Sequence, residues 1–162
     1  MEALKKHKIT HLSATNINTF ITNPAEWVMS YIYKLPYSSS AAAERGKYIE
    51  KALFHILGNG ESVDKVIEEQ SYFFAETCKE MKVPEEEYLK EKEFVQRAIK
   101  VLPEHLSKFG KIVGYQKKIG YNYKGIDIIG YTDFDFELPD GSPLILDLKT
   151  QKKLNVSVGH KI

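Results

Sequence analysis

Ile17, Phe20 and Ile21, and then Trp27, Val28, Tyr31 and Ile32, recur at helical spacing. Each run follows capping residues: Ser13 and Thr15 before the first, Asn23-Pro24 before the second. Two short helices ending before Pro36 are expected. Ser38-Ser39-Ser40 reads as a loop, and Ala41–Leu57 as a helix stopped by Gly58-Asn59-Gly60. Over residues 62–81 and 84–109 apolar positions keep a helical period among many Glu and Lys, which predicts two amphipathic helices. After Gly110 the period shortens to two. Residues 111–123, 126–138 and 143–150 read as strands joined at Asn122-Tyr123-Lys124-Gly125 and Pro139-Asp140-Gly141.

The fold class that follows is α/β in the α+β sense: N-terminal helices, then a three-stranded antiparallel meander. One domain is expected over residues 1–162, with a helical part at about 12–109 and a sheet part at about 110–150. A chain of this length buries roughly 70% of its unfolded surface, so it needs neither disulfides nor a structural metal.

Cys78 is the single cysteine, which excludes an internal disulfide, a multi-thiolate zinc site and an iron–sulfur cluster held by four cysteines. A reducing, cytoplasmic location is expected. No run of 18 apolar residues is present and the N-terminus lacks a signal-type apolar segment, so no membrane association is expected. Net charge is +1, but it is unevenly placed: +3 over residues 1–60, −5 over 61–104 and +3 over 105–162. An anionic ligand should therefore meet the two ends of the chain. Only Arg45 and Arg97 among 23 basic residues are arginines, which suits lysine contacts to phosphate better than bidentate reading of guanine.

Alternation divides the second strand into Ile126, Ile128, Gly130, Thr132, Phe134, Phe136 and Leu138 on one face, against Asp127, Ile129, Tyr131, Asp133, Asp135 and Glu137. The apolar face should pack on the helices. In the third strand Asp147 and Lys149 share a side, about 7 Å apart. Pro139-Asp140-Gly141 suits a three-residue loop that pairs Leu138 with Ser142, which sets Asp133 opposite Asp147 at about 4.5–5.5 Å between Cα atoms. A two-residue loop would put the two on opposite faces.

Two adjacent aspartates cannot both stay ionised cheaply; one takes a proton or both share a cation. Oxygen ligands on a rigid hairpin favour Mg²⁺ or Mn²⁺. The plainer alternative is that Asp133 and Asp135 decorate a solvated sheet face. Against it stands Asp147, inside the run Leu144-Ile145-Leu146-Asp147-Leu148, which reads as a buried central strand where a charge needs a partner. Glu50 likewise interrupts the apolar stripe of Gly46, Leu53, Phe54 and Leu57. It either reaches water or pairs with Arg45 or Lys47, or it joins the acids of the hairpin.

The order Ser13-x-Thr15 with a short aromatic helix, Arg45-Gly46-x-x-x-Glu50, Gly130-x-x-Asp133, and Asp147-x-Lys149-Thr150 resembles the RecB-type exonuclease branch of the PD-(D/E)XK nuclease superfamily, phage or bacterial, over nearly the whole chain. The resemblance implies a restriction-endonuclease-like core and divalent-metal-dependent hydrolysis of DNA. Glu50 matches the His-or-Glu position of the first helix, Asp133 and Asp147 the acidic metal ligands, and Lys149 the catalytic lysine. The Leu148 backbone carbonyl would complete the protein ligands. In such enzymes a helix bearing Gln and then Tyr follows Asp-x-Lys; this sequence lacks that motif, so a C-terminally incomplete sheet is expected, completed by a second chain or a homo-oligomer.

Ser13, Thr15, Arg45, Thr150, Lys152 and Lys153 are the expected DNA contacts. The five histidines show no pairwise ligand spacing and are expected to be structural or on the surface. The function expected is a metal-dependent deoxyribonuclease, an exonuclease of recombination, repair or phage DNA processing. The alternative is a catalytically incomplete domain that binds nucleic acid or a protein partner.

Overall fold

The computed structural model describes Leu4 and residues 6–35 and 39–150. After a short strand, β1 (His11–Ser13), Ser13 Oγ accepts the Asn16 N–H at 3.1 Å and so opens α1 (Ala14–Thr22). Asn23 caps α2 (Pro24–Trp27), which runs on as a π-helical turn, Val28–Ile32. These are the two helices expected ahead of Pro36, placed by the expected caps.

Helix α3 is Ala41–Leu57, with Ser40 as its N-cap and Gly58 at its end. Ser62 caps α4 (Val63–Glu80), and Glu85, Glu86 and Glu87 meet the positive end of α5 (Glu85–Leu106), which a 3₁₀ turn extends to Phe109. Ile49, Leu53, Val66, Phe74, Val95 and Ile99 are fully buried where these three helices meet. Phe134 and Phe136 enter the same core from the sheet, and Leu144, Leu146 and Leu148 pack against it. The acidic middle of the chain, the buried Glu91 excepted, thus lies on the outside of a helical layer.

The strand region departs from a single meander. Five strands form here: β2 (Lys111–Tyr115), β3 (Lys118–Tyr123), β4 (Ile126–Tyr131), β5 (Phe134–Glu137) and β6 (Pro143–Leu146). They divide between two sheets of order β1-β4-β3 and β2-β5-β6, and β1, which the periodicity did not disclose, pairs in parallel with β4. Each of the two long strands expected breaks at one place. Gln116 takes a left-handed backbone, φ 46°, which turns the first out of its ladder. The second breaks at Thr132-Asp133. Gln116 N–H donates to the Asp133 carbonyl at 3.2 Å and Thr132 N–H to that of Lys117 at 3.0 Å, so both strands change sheet together.

The last hairpin keeps its expected register. Phe134 faces Leu146, Asp135 faces Ile145, Phe136 faces Leu144 and Glu137 faces Pro143. Leu138 N–H donates to the Ser142 carbonyl at 2.9 Å across a loop whose Gly141 has φ 82°. The ladder ends at Leu146, however, not at Thr150. Among the described residues β6 is an edge, with Ile145 63% exposed, so 144–148 buries one face rather than forming a central strand. No helix among the described residues is long and apolar enough to cross a membrane.

Candidate active site

Asp133 occupies the break between β4 and β5, and Asp147 follows β6 directly. Both lie outside the ladders but keep the register that the hairpin imposes. Asp133 Oδ2 accepts the Leu148 N–H at 2.7 Å, which draws the segment after β6 onto it. The Asp133 carboxyl is pushed above the usual carboxylate range, first by burial. The Leu148 N–H opposes that shift, while Asp147 reinforces it through its charge and a carboxyl–carboxyl hydrogen bond. Lys149 Nζ lies 2.5 Å from Asp147 Oδ1, and both side chains are half exposed.

Glu50 reaches toward this pair from α3. Its Oε1 accepts from Gln116 Nε2 at 2.9 Å, and Tyr115 is a second hydrogen-bond partner. Burial raises the Glu50 carboxyl, opposed by the Gln116 bond and reinforced by the charge of Asp133. The Tyr115 hydroxyl is pushed up to about 12, by burial first and then by Glu50. Its ring is fixed by stacking on Phe54, 4.3 Å between centroids.

Pairing of Glu50 with Arg45 or Lys47 is not what forms: Lys47 bonds Glu44 at 2.7 Å, and Arg45 bonds Glu91. Tyr115 and Gln116 are members of the site that the sequence pattern did not single out. The signal available was the polar interruption Gln116-Lys117-Lys118 between two runs of alternating residues.

Arg45 is 4% exposed, and its guanidinium meets Glu91, the Thr150 carbonyl and the Phe94 ring, 4.4 Å from the centroid. It ties α3, α5 and the segment after β6 together. The expectation that it contacts phosphate is corrected on this point, since the charge faces inward. Thr150 is bound through its carbonyl, and its Oγ1 would lie 3.2 Å from a Cβ at position 46. Gly46 therefore lets the Asp147-x-Lys149-Thr150 segment lie close against α3.

Ser13 caps α1 and Thr15 lies in its first turn, with Ser13 opposite Ile129 of β4. Lys152 and Lys153 lie outside the described residues.

Among the described residues no group of three acidic, histidine or cysteine side chains is gathered closely enough to hold a metal ion. What converges is a pair, Asp133 and Asp147, with Glu50 as a third carboxylate held on Gln116. By chemistry the donors fit a hard divalent cation. They are oxygen atoms only, and burial together with mutual repulsion raises their affinity for positive charge.

The family model described as the PD-(D/E)XK nuclease superfamily matches residues 11–160. No curated protein and no solved structure matches the chain.

Proposed function

This chain belongs to the PD-(D/E)XK nuclease superfamily, and from that premise we propose that it is a Mg²⁺- or Mn²⁺-dependent deoxyribonuclease of the RecB-type exonuclease branch, acting on DNA ends or single strands in recombination, repair or phage DNA processing. The observation that carries the reading is the facing pair Asp133 and Asp147 with Lys149 on the outer oxygen of Asp147.

Glu50, Asp133, Asp147 and the Leu148 carbonyl are the proposed ligands of the ion. Held by these residues, a divalent ion would supply charge neutralisation at a non-bridging phosphate oxygen and acidify water. The chain's own groups do the rest. Lys149 places an ammonium at the rim of the acid pair, where it orients the attacking water and offsets the negative charge that grows on the phosphate. Gln116 and Tyr115 hold the Glu50 carboxylate in one orientation. Thr150, Lys152 and Lys153 are proposed to continue the contact to the DNA backbone.

One observation favours a second reading, DNA binding without cleavage: Glu50 is engaged by Gln116 and Tyr115 rather than closed onto the aspartate pair. Digestion of linear DNA separates the two. The first reading expects cleavage in Mg²⁺ that disappears in Asp147→Ala and Lys149→Ala. Binding of DNA with no cleavage in Mg²⁺ or Mn²⁺ would support the second.

A further inference from the structure

The residues leading into and along β1 and those around the π-helical turn line a cleft of about 350 Å³ beside β4. His7, Lys8, His11 and Lys34 line it, together with Ser13 and Asn16, and no carboxylate among the described residues does. The two lysines arrive from separate segments, one before β1 and one after the π-helical turn. Both have left-handed backbones, φ 58° and 53°, which a non-glycine residue seldom adopts. An anion in the cleft would meet positive charge from both segments.

Asn16, which lines the cleft, has its amide oxygen engaged and its amide nitrogen open to a ligand. Asn16 is 5% exposed, and its Oδ1 accepts the Trp27 indole N–H at 2.8 Å. That bond orients the amide and leaves the Nδ2 hydrogens of a cleft-lining residue without a partner among the described residues. A phosphate oxygen in the cleft can accept from that amide.

The cleft also lies on the line of the proposed active site. His11 pairs with Asp127 and Ser13 with Ile129, so both share a sheet face with Tyr131, the last residue of β4 before the break that carries Asp133. Tyr131, 62% exposed and opposite Lys118, stands between the cleft and the acids. Asp133 lies four positions beyond Ile129, at most about 14 Å of chain. One strand spacing of about 5 Å separates Ser13 from Ile129.

We infer that this cleft binds a phosphate of the DNA strand that is cut at Asp133 and Asp147, a few nucleotides from the scissile bond. The identity of the strand rests on the nuclease reading; the cationic character of the cleft does not. Tyr131 offers a ring on which an intervening base can stack. The phosphate is either the terminal phosphate of the strand or an internal phosphodiester.

The test is fluorescence anisotropy of short 3′-labelled oligothymidylates, with a 5′-phosphate or a 5′-hydroxyl, in EDTA across a salt series. The protein is wild type or Lys8→Asn/Lys34→Asn, since asparagine tolerates the left-handed conformation. An unchanged melting temperature confirms that the variant is folded. Binding should weaken about tenfold, and the salt slope should become shallower by about 1 for each phosphate that the variant no longer neutralises. Weakening confined to the 5′-phosphorylated probe assigns the terminal phosphate, and equal weakening for both assigns an internal one; each supports the cleft.

Unchanged affinity and slope would overturn the inference. So would an equal effect in Lys100→Asn, an exposed lysine of α5 outside the cleft, or an effect seen only with inorganic phosphate. The two single variants, Lys8→Asn and Lys34→Asn, carry the same readout if the double variant melts early. Cleavage that persists in Asp147→Ala would defeat the nuclease site while leaving this binding result intact.

Discussion

The Leu148 backbone N–H donates to Asp133 Oδ2 at 2.7 Å, joining the point where one strand changes sheet to the residue after Asp147. Neither aspartate belongs to a ladder, yet this bond keeps them face to face. It also makes the acid pair depend on backbone that no strand pairing fixes among the described residues.

Acidification should relieve a cost that Glu50 and Asp133 impose on the metal-free fold, against the stability that Glu44, Glu61 and Asp140, whose carboxyls are lowered, give up as pH falls. Glu50 and Asp133 have carboxyls raised above 4.5 and 3.8, so the folded chain binds protons there more tightly than the unfolded one. Their cost to stability is fully present above the raised values and fades as pH falls through them toward the ordinary ones. In Asp133→Asn, which keeps an acceptor for the Leu148 N–H, the melting temperature at neutral pH should rise and its dependence on pH over that interval should weaken. Melting curves from neutral pH to about pH 4, near the ordinary carboxylate range, check this; a variant that melts earlier at neutral pH would contradict it.

Arg45→Ala should destabilise the fold by about 3–5 kcal/mol, because it leaves the buried Glu91 carboxylate without its guanidinium. Urea denaturation measures the effect. Glu91→Gln, which retains a hydrogen-bonding oxygen, should cost less. If the inward-facing guanidinium has no part in DNA contact, the DNA affinity of the folded fraction stays unchanged.

Gly46→Ala sets two effects against each other. Alanine in a helix interior is favoured over glycine by about 1 kcal/mol, but the new Cβ lies 3.2 Å from Thr150 Oγ1. The Asp147-x-Lys149-Thr150 segment must then shift by a few tenths of an ångström. Stability should hold or rise while cleavage falls by about tenfold, since small misplacement of reacting groups is costly. Gly46→Ala/Thr150→Ala, which removes the Oγ1 atom, should recover most of the rate.

Glu50→Gln and Gln116→Ala should divide ligand from support. If Glu50 binds the ion, Glu50→Gln abolishes Mg²⁺-dependent cleavage. Gln116→Ala only loosens the carboxylate and should lower metal affinity by roughly 10–100-fold, the range typical of groups that orient a ligand. Metal titrations of the cleavage rate distinguish the two: excess Mg²⁺ rescues the second variant and not the first.

Much of this was legible because local chemistry and tertiary packing agree. Ser13, Asn23 and Gly58 mark helix ends that the sequence located, and Ser40, read there only as loop, is the cap of α3. Pro139-Asp140-Gly141 fixed a loop length, and through it the face on which Asp133 meets Asp147. What periodicity did not carry was the division into two sheets. The break at Gln116 is a backbone turn in a non-glycine residue, and its partner break at Thr132 follows from hydrogen bonds between segments. Strand β1 has three residues, too few to show an alternation, and forms because β4 offers it a parallel edge. The partner of Arg45 was hidden for a similar reason, since Glu91 is 46 residues away on a helix rich in acids. Glu50 was visible as an anomaly in an apolar stripe, whereas the groups that hold it, Tyr115 and Gln116, come from the unforeseen break.

Whether the acid pair holds a divalent ion is decided by calorimetric titration of Mn²⁺ into wild type and Asp133→Asn. A saturable heat is expected for the wild type and should be absent in the variant while the variant remains folded. Equal heats for the two proteins would contradict the proposed site.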